Sequence, residues 1–147
     1  MDNVNEKFNF QELLVKLLSK LSEREQEILK QRYQLTSELQ KNATLKQIGD
    51  VYHITRERVR QIEREAVRKL VGLKSDSEFA QTLSVLEFDL SQFLTRKGGL
   101  VKEESLLSEY INEKHDFGVF RPQSFLFVMD NLFASVELAT VKPFSVL

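Results

Sequence analysis

Cysteine is absent from the 147 residues, which excludes both a disulfide framework and a thiolate metal site. Only two histidines occur, His53 and His115, too few and too far apart to suggest a metal cluster. No apolar run approaches the roughly 18 residues of a membrane helix. No basic segment followed by an apolar one opens the chain, so no leader is read and a cytoplasmic location is expected. A glycine-rich phosphate loop is also missing. The acids Glu103, Glu104 and Asp116 have no histidine neighbours and read as a solvated face. Ser105 and His115 form no defensible catalytic pair. No enzyme, cofactor, metal, membrane partner or small-molecule substrate is therefore expected.

What is present is a local imbalance of charge. The chain carries a net charge of only −1. Residues 41–74, however, hold nine Lys or Arg against four acids, a net +5, while residues 75–147 hold six against eleven, a net −5. A basic stretch of this kind is the electrostatic footprint of phosphate binding, and the acidic half would be repelled by the same backbone.

Apolar periodicity predicts a mainly α protein. Phe10, Leu13, Leu14, Leu17 and Leu18 follow helical spacing. Ser22-x-x-Glu25 is a capping box that opens a second helix through Ile28, Leu29, Arg32 and Tyr33, with Leu21 placed as a staple. Residues 35–43 are polar and read as a loop. Thr44-x-x-Gln47 is another capping box, starting a short helix with Leu45, Ile48 and Val51 inward. Gly49 within it either admits a close neighbouring helix or is incidental. Tyr52-His53-Ile54 breaks the pattern, and Thr55 caps a helix running to about Leu70 with Val59, Ile62, Ala66 and Leu70 buried. Gly72 is its expected stop. A linker at 73–77 precedes a helix with Phe79, Leu83, Leu86, Leu90, Phe93 and Leu94 on one face, ending at Gly98-Gly99. Two more helices are predicted, over about 102–114 and from Pro122 on, the last with Phe125, Leu126, Met129, Leu132 and Phe133 inward. Phe125 and Phe127 should not both face inward, so one of them is expected on the surface. Alternation at Val136–Val141 and Phe144–Leu147 predicts a β-hairpin. Three helices and a hairpin make a winged-helix pattern, so the expected domains are 8–72, a helix-turn-helix, and 77–147, winged-helix-like.

The helix from Thr55 carries the chemistry. Arg56, Arg60 and Arg64 stand four apart and form a slowly winding row, since each such step overshoots a full turn by only about 40°. Glu57 and Gln61 lie beside them. These types suit base edges in a major groove: Arg to guanine, Gln to adenine, Glu to the cytosine amino group. A solvated face supported by i, i+4 pairs such as Glu57–Gln61 and Glu65–Lys69, with Glu63 beside Arg60, fits the pattern equally well. The preceding capped helix, the three-residue break and the local charge favour DNA.

Leu21–Tyr33 (LSEREQEILKQRY), Thr44–Tyr52 (TLKQIGDVY), Ile54–Glu63 (ITRERVRQIE) and Ala66–Leu70 (AVRKL) resemble region 4 of the primary-type bacterial sigma factors of RNA polymerase. The resemblance covers residues 10–71. It implies recognition of a −35 promoter element in double-stranded DNA and docking on the β flap of the polymerase core. By position, Arg56, Glu57, Arg60 and Gln61 would contact bases. Arg24, Arg32, Leu45 and Thr55 would lie at the DNA backbone, with Lys46 and Arg64 as further phosphate contacts. Arg68 and Lys69 would meet an activator or other partner. No segment resembles the aromatic-rich region 2 that melts promoters, and tryptophan is absent. The expectation is thus either a fragment of a sigma factor or a sigma-like regulator. Residues 77–147 loosely resemble the HARE-HTH winged helix. Two rivals stay open: a module that docks on polymerase or an anti-sigma protein with the acidic half as regulator, and a stand-alone dimeric repressor.

Overall fold

The computed structural model describes residues 6–36, 42–133 and 140–141. Strand β1 (Phe8–Asn9) leads into α1 (Phe10–Leu18), which Asn9 caps by accepting from the Glu12 N–H. Helices α2 (Glu23–Tyr33) and α3 (Leu45–Tyr52) follow, and both predicted capping boxes are made, Ser22 with Glu25 and Thr44 with Gln47. Thr55 caps α4 (Arg56–Gly72). Gly72 ends α4 in ordinary helical conformation, and the chain tightens through a 3₁₀ turn at Leu73–Ser75. Helix α5 (Ala80–Arg96) stops at Gly98 and Gly99, both at φ of 83°. After β2 (Val101–Lys102), α6 (Glu103–Leu106) runs through a π-helical turn at Leu107–Ile111 into α7 (Asn112–Lys114). Strand β3 (His115–Asp116), helix α8 (Gln123–Leu132) and β4 (Thr140–Val141) complete the described chain. Both short strand pairs are parallel: Phe8 registers with His115, and Val101 with Thr140. The predicted hairpin lies almost wholly outside the described residues.

One apolar core crosses the expected boundary between 8–72 and 77–147. Phe10, Leu14 and Leu17 of α1, Leu29 of α2, and Ala66 and Leu70 of α4 join Leu90, Tyr110, Phe125 and Leu132 in a single cluster. Backbone bonds reinforce the junction. The Arg121 N–H donates to Leu35 O at 2.8 Å, Thr36 bridges to Phe120, and the Val119 N–H donates to Gln11 Oε1 at 2.7 Å. Ile28, Ile48, Val59 and Ile62 form a second, smaller core inside the helix-turn-helix.

Three expectations are corrected. Val51 was placed inward but is 65% exposed. The buried arc of α3 runs from Ile48 through Tyr52 and Leu45 to Gly49, and at 3.6 residues per turn Val51 falls about 60° outside it. Phe125 and Phe127 are both buried. Helix α8 is covered on several sides: Phe125 meets Phe10 and His115, while Phe127 lies 4.6 Å from the Tyr33 ring. The sides that carry the two rings are covered by different elements, so both are buried while Gln123 and Asp130 take the solvent face. Leu35, assigned to a polar loop, is fully buried beneath the junction just described.

His115 sits inside this core, among Phe8, Phe10, Tyr110, Phe117 and Phe125, with Nδ1 donating to Ile111 O at 3.2 Å. Burial, its largest influence, holds its pKa below the ordinary 6.5, against the opposing carbonyl bond. The folded protein therefore binds this proton less readily than the unfolded chain. Stability is expected to be full above about pH 6.5 and to fall as the pH drops from there through the depressed folded value. The check is thermal unfolding against pH: His115→Gln should flatten that acid limb, and a limb unchanged by the substitution would assign it to other groups.

Candidate nucleic-acid interface

The geometry of this site starts at Gly49. A Cβ built there would stand 2.6 Å from the Ile54 carbonyl oxygen, so only glycine lets the turn close this tightly over α3. His53 takes a left-handed conformation, φ 59°, as the C-cap of α3, and the Ile54 N–H donates back to Gly49 O at 2.9 Å. Thr55 then starts α4, its hydroxyl accepting from the Arg58 N–H at 3.0 Å. Val59 and Ile62 anchor α4 on Ile48 and Ile28. The opposite face is left to solvent.

On that face Arg56, Glu57, Arg60, Gln61 and Arg64 are all exposed. Their pairing follows the i, i+4 set read from the sequence only in part: Gln61 still hydrogen-bonds Glu57, but other pairs are made three residues apart. Arg60 grips Glu57 in a two-pronged bond, Nε to Oε1 at 3.1 Å and Nη2 to Oε2 at 2.9 Å. That bond holds the Glu57 carboxyl below its usual range and raises the Arg60 guanidinium. Arg58 Nη1 donates to Gln61 Oε1 at 3.3 Å. Exposed pairs of this kind contribute little to stability, so a duplex can redirect them at small cost.

The residues expected at the DNA backbone divide. Arg32, Leu45 and Arg64 line one open groove, together with Tyr33, Arg60, Glu63, Val67 and Asn131. Arg24 lies elsewhere, its guanidinium 5.0 Å over the Tyr52 ring. Lys46 pairs with Asp50 at 3.0 Å on the exposed face of α3. Arg68 and Lys69 point to different places. Arg68 pairs with Glu65 in solvent, whereas Lys69 Nζ bonds both oxygens of the buried Glu25 at 3.0 and 2.9 Å. Burial by itself would raise the Glu25 carboxyl; bonds from Ser22 and Lys69 outweigh it and leave it lowered.

Sequence reading missed the part played by Glu63 and Tyr33. Glu63 Oε1 accepts from Arg32 Nε at 3.1 Å, and Oε2 accepts from the Tyr33 hydroxyl at 2.6 Å. The expected Arg60–Glu63 contact gives way to these. Partners some thirty residues apart leave no trace in helical periodicity; the only hint was an acid flanking the basic row. Among the described residues no cluster of His, Cys, Asp or Glu could hold a metal, and no helix is long and apolar enough to cross a membrane.

A capped helix, a tight glycine-closed turn and a second helix with an exposed basic face define a helix-turn-helix of the kind that reads nucleic acid. Residues 17–70 match the family model of Sigma-70, region 4. The same region is 49% identical over 57 residues to the RNA polymerase sigma factor SigA of Nostoc sp., covering 39% of this chain and 14% of that one. It is 50% identical over 54 residues to SigA1 of Synechococcus elongatus, covering 37% and 13%. SigA of Clostridium acetobutylicum is 42% identical over 59 residues, covering 40% and 15%. The chain thus spans only a small part of the length of these relatives.

Proposed function

We propose that residues 17–70 bind a −35-type promoter element in the major groove and act in transcription initiation together with RNA polymerase. The exposed row Arg56, Glu57, Arg60 and Gln61 on α4 carries this reading, set against α3 by the closed turn at Gly49. Arg60 reaches a guanine edge once it leaves Glu57, while Thr55, Leu45, Arg32 and Arg64 follow the backbone. Affinity should fall steeply with salt, because each neutralised phosphate releases counterions. A cytoplasmic setting follows from this role.

Arg60→Ala is expected to cost about 1–3 kcal/mol of binding and to relax base preference at one position. Anisotropy titration against a −35-type duplex and single-base variants of it measures both. Unchanged affinity and specificity would sink the assignment.

The fused acidic half favours a second reading, in which the sigma-like unit docks on polymerase or an anti-sigma protein and residues 77–147 regulate it. Capture of the β flap without retardation of the duplex would select this one.

A further inference from the structure

We propose that Glu63 is a positioning residue for the DNA-backbone contact of Arg32, an inference that rests on the promoter-binding reading. The side chain of Glu63 is only 14% exposed, while Glu57 and Glu65 on the same helix stand in solvent. Its two oxygens take donors from α2, Arg32 Nε and the Tyr33 hydroxyl. Arg32 Nη1 in turn donates to Ala43 O at 3.2 Å, one residue before the cap of α3. The guanidinium is thereby held between α2, the start of α3 and α4, with its side chain still 30% exposed. It opens on the groove that Leu45, Arg60 and Arg64 also line.

An arginine free in solvent loses rotamer freedom when it grips a phosphate; one already held loses less. Glu63 supplies that hold. Tyr33 completes the device. Its ring packs on Phe127 of α8, so the C-terminal half seats the hydroxyl that orients Glu63. Burial first, and then Glu63, raise the Tyr33 hydroxyl above its ordinary value, which keeps it a proton donor.

Coulomb's law and the positioning role make opposite predictions. Removing a negative charge beside phosphates should tighten binding. Removing the hold on Arg32 should weaken it. Glu63→Gln in the full chain, titrated with a −35-type duplex at several salt concentrations, decides between them. Glutamine is uncharged, so although its amide can still meet Arg32 Nε and the Tyr33 hydroxyl, the charge-assisted hold on the guanidinium is lost. The expected result is a loss of roughly three- to tenfold, and a salt dependence shallower by about one phosphate. Arg32→Ala should give a similar loss, and the double variant should be no worse than Arg32→Ala alone. Glu63→Asp keeps the charge but shortens the reach, so it should weaken binding in the same direction. It decides the matter if Glu63→Gln does not fold by circular dichroism. Binding as tight as the original chain, or losses that add in full, would overturn the proposal. Arg60→Ala, run beside these, reports on the promoter reading separately. Sensitivity at Arg60 with none at Glu63 removes only the positioning role. Sensitivity at Glu63 and Arg32 with none at Arg60 removes base reading and leaves the backbone contact standing.

Discussion

Phe125→Ala is expected to cost about 3–5 kcal/mol of stability, the range for deleting a fully buried aromatic side chain. That is a large fraction of the roughly 5–15 kcal/mol that holds a natural domain folded. The size follows from where the ring sits. It lies 5.3 Å from Phe10 of α1, 4.8 Å from His115 and 6.0 Å from Tyr110, so the cavity would open where the first helix meets the C-terminal half. Groups on several elements would have to collapse together to fill it. Leu29, Ala66 and Leu70 of the helix-turn-helix belong to the same cluster. Urea unfolding followed by helical circular dichroism should therefore show one transition, moved to a lower midpoint. Duplex binding should disappear across that same transition. If residues 77–147 melted first while duplex binding kept its original midpoint, the two halves would be energetically separate in spite of their shared core.

Gly49→Val is expected to cost about 3 kcal/mol, at the upper end for forcing extra carbon into a packed site. The atom that a side chain meets at this position is the Ile54 carbonyl, 2.6 Å from an ideal Cβ. That carbonyl belongs to a turn which is itself hydrogen-bonded back to Gly49. No flexible side chain is available to give way, so α4 must shift against α3. The arginine row would remain in the sequence but leave its register on the groove. Duplex affinity should fall even well below the melting temperature, where the variant is folded. A variant with the original melting temperature and affinity would show that the turn tolerates an open form.

The features legible in the sequence were local ones. Ser22 with Glu25, Thr44 with Gln47, and Thr55 announced three helix starts because a cap is made with neighbours three residues away. The stripes of α1, α4 and α5 were read from apolar spacing, since one rotation per residue maps sequence onto a helix face. The exposed row on α4 is the complement of such a stripe. Short α3 shows the weakness of the method: in eight residues an arc can be misjudged by one position, and Val51 was.

Helix periodicity, capping and the basic row, then, were determined by the sequence by itself, because each depends on residues within about one turn of each other. Only the tertiary structure decided the fate of α8, whose two phenylalanines are both buried because different elements cover its different sides. It likewise decided that one core unites the two halves. On and around α4, it tied Lys69 to Glu25 and drew Glu63 to Arg32 and Tyr33. Charged side chains on a helix have many partners within reach, and the one chosen depends on which element folds against them. That choice is made by packing between residues far apart in the chain, and no local pattern carries it.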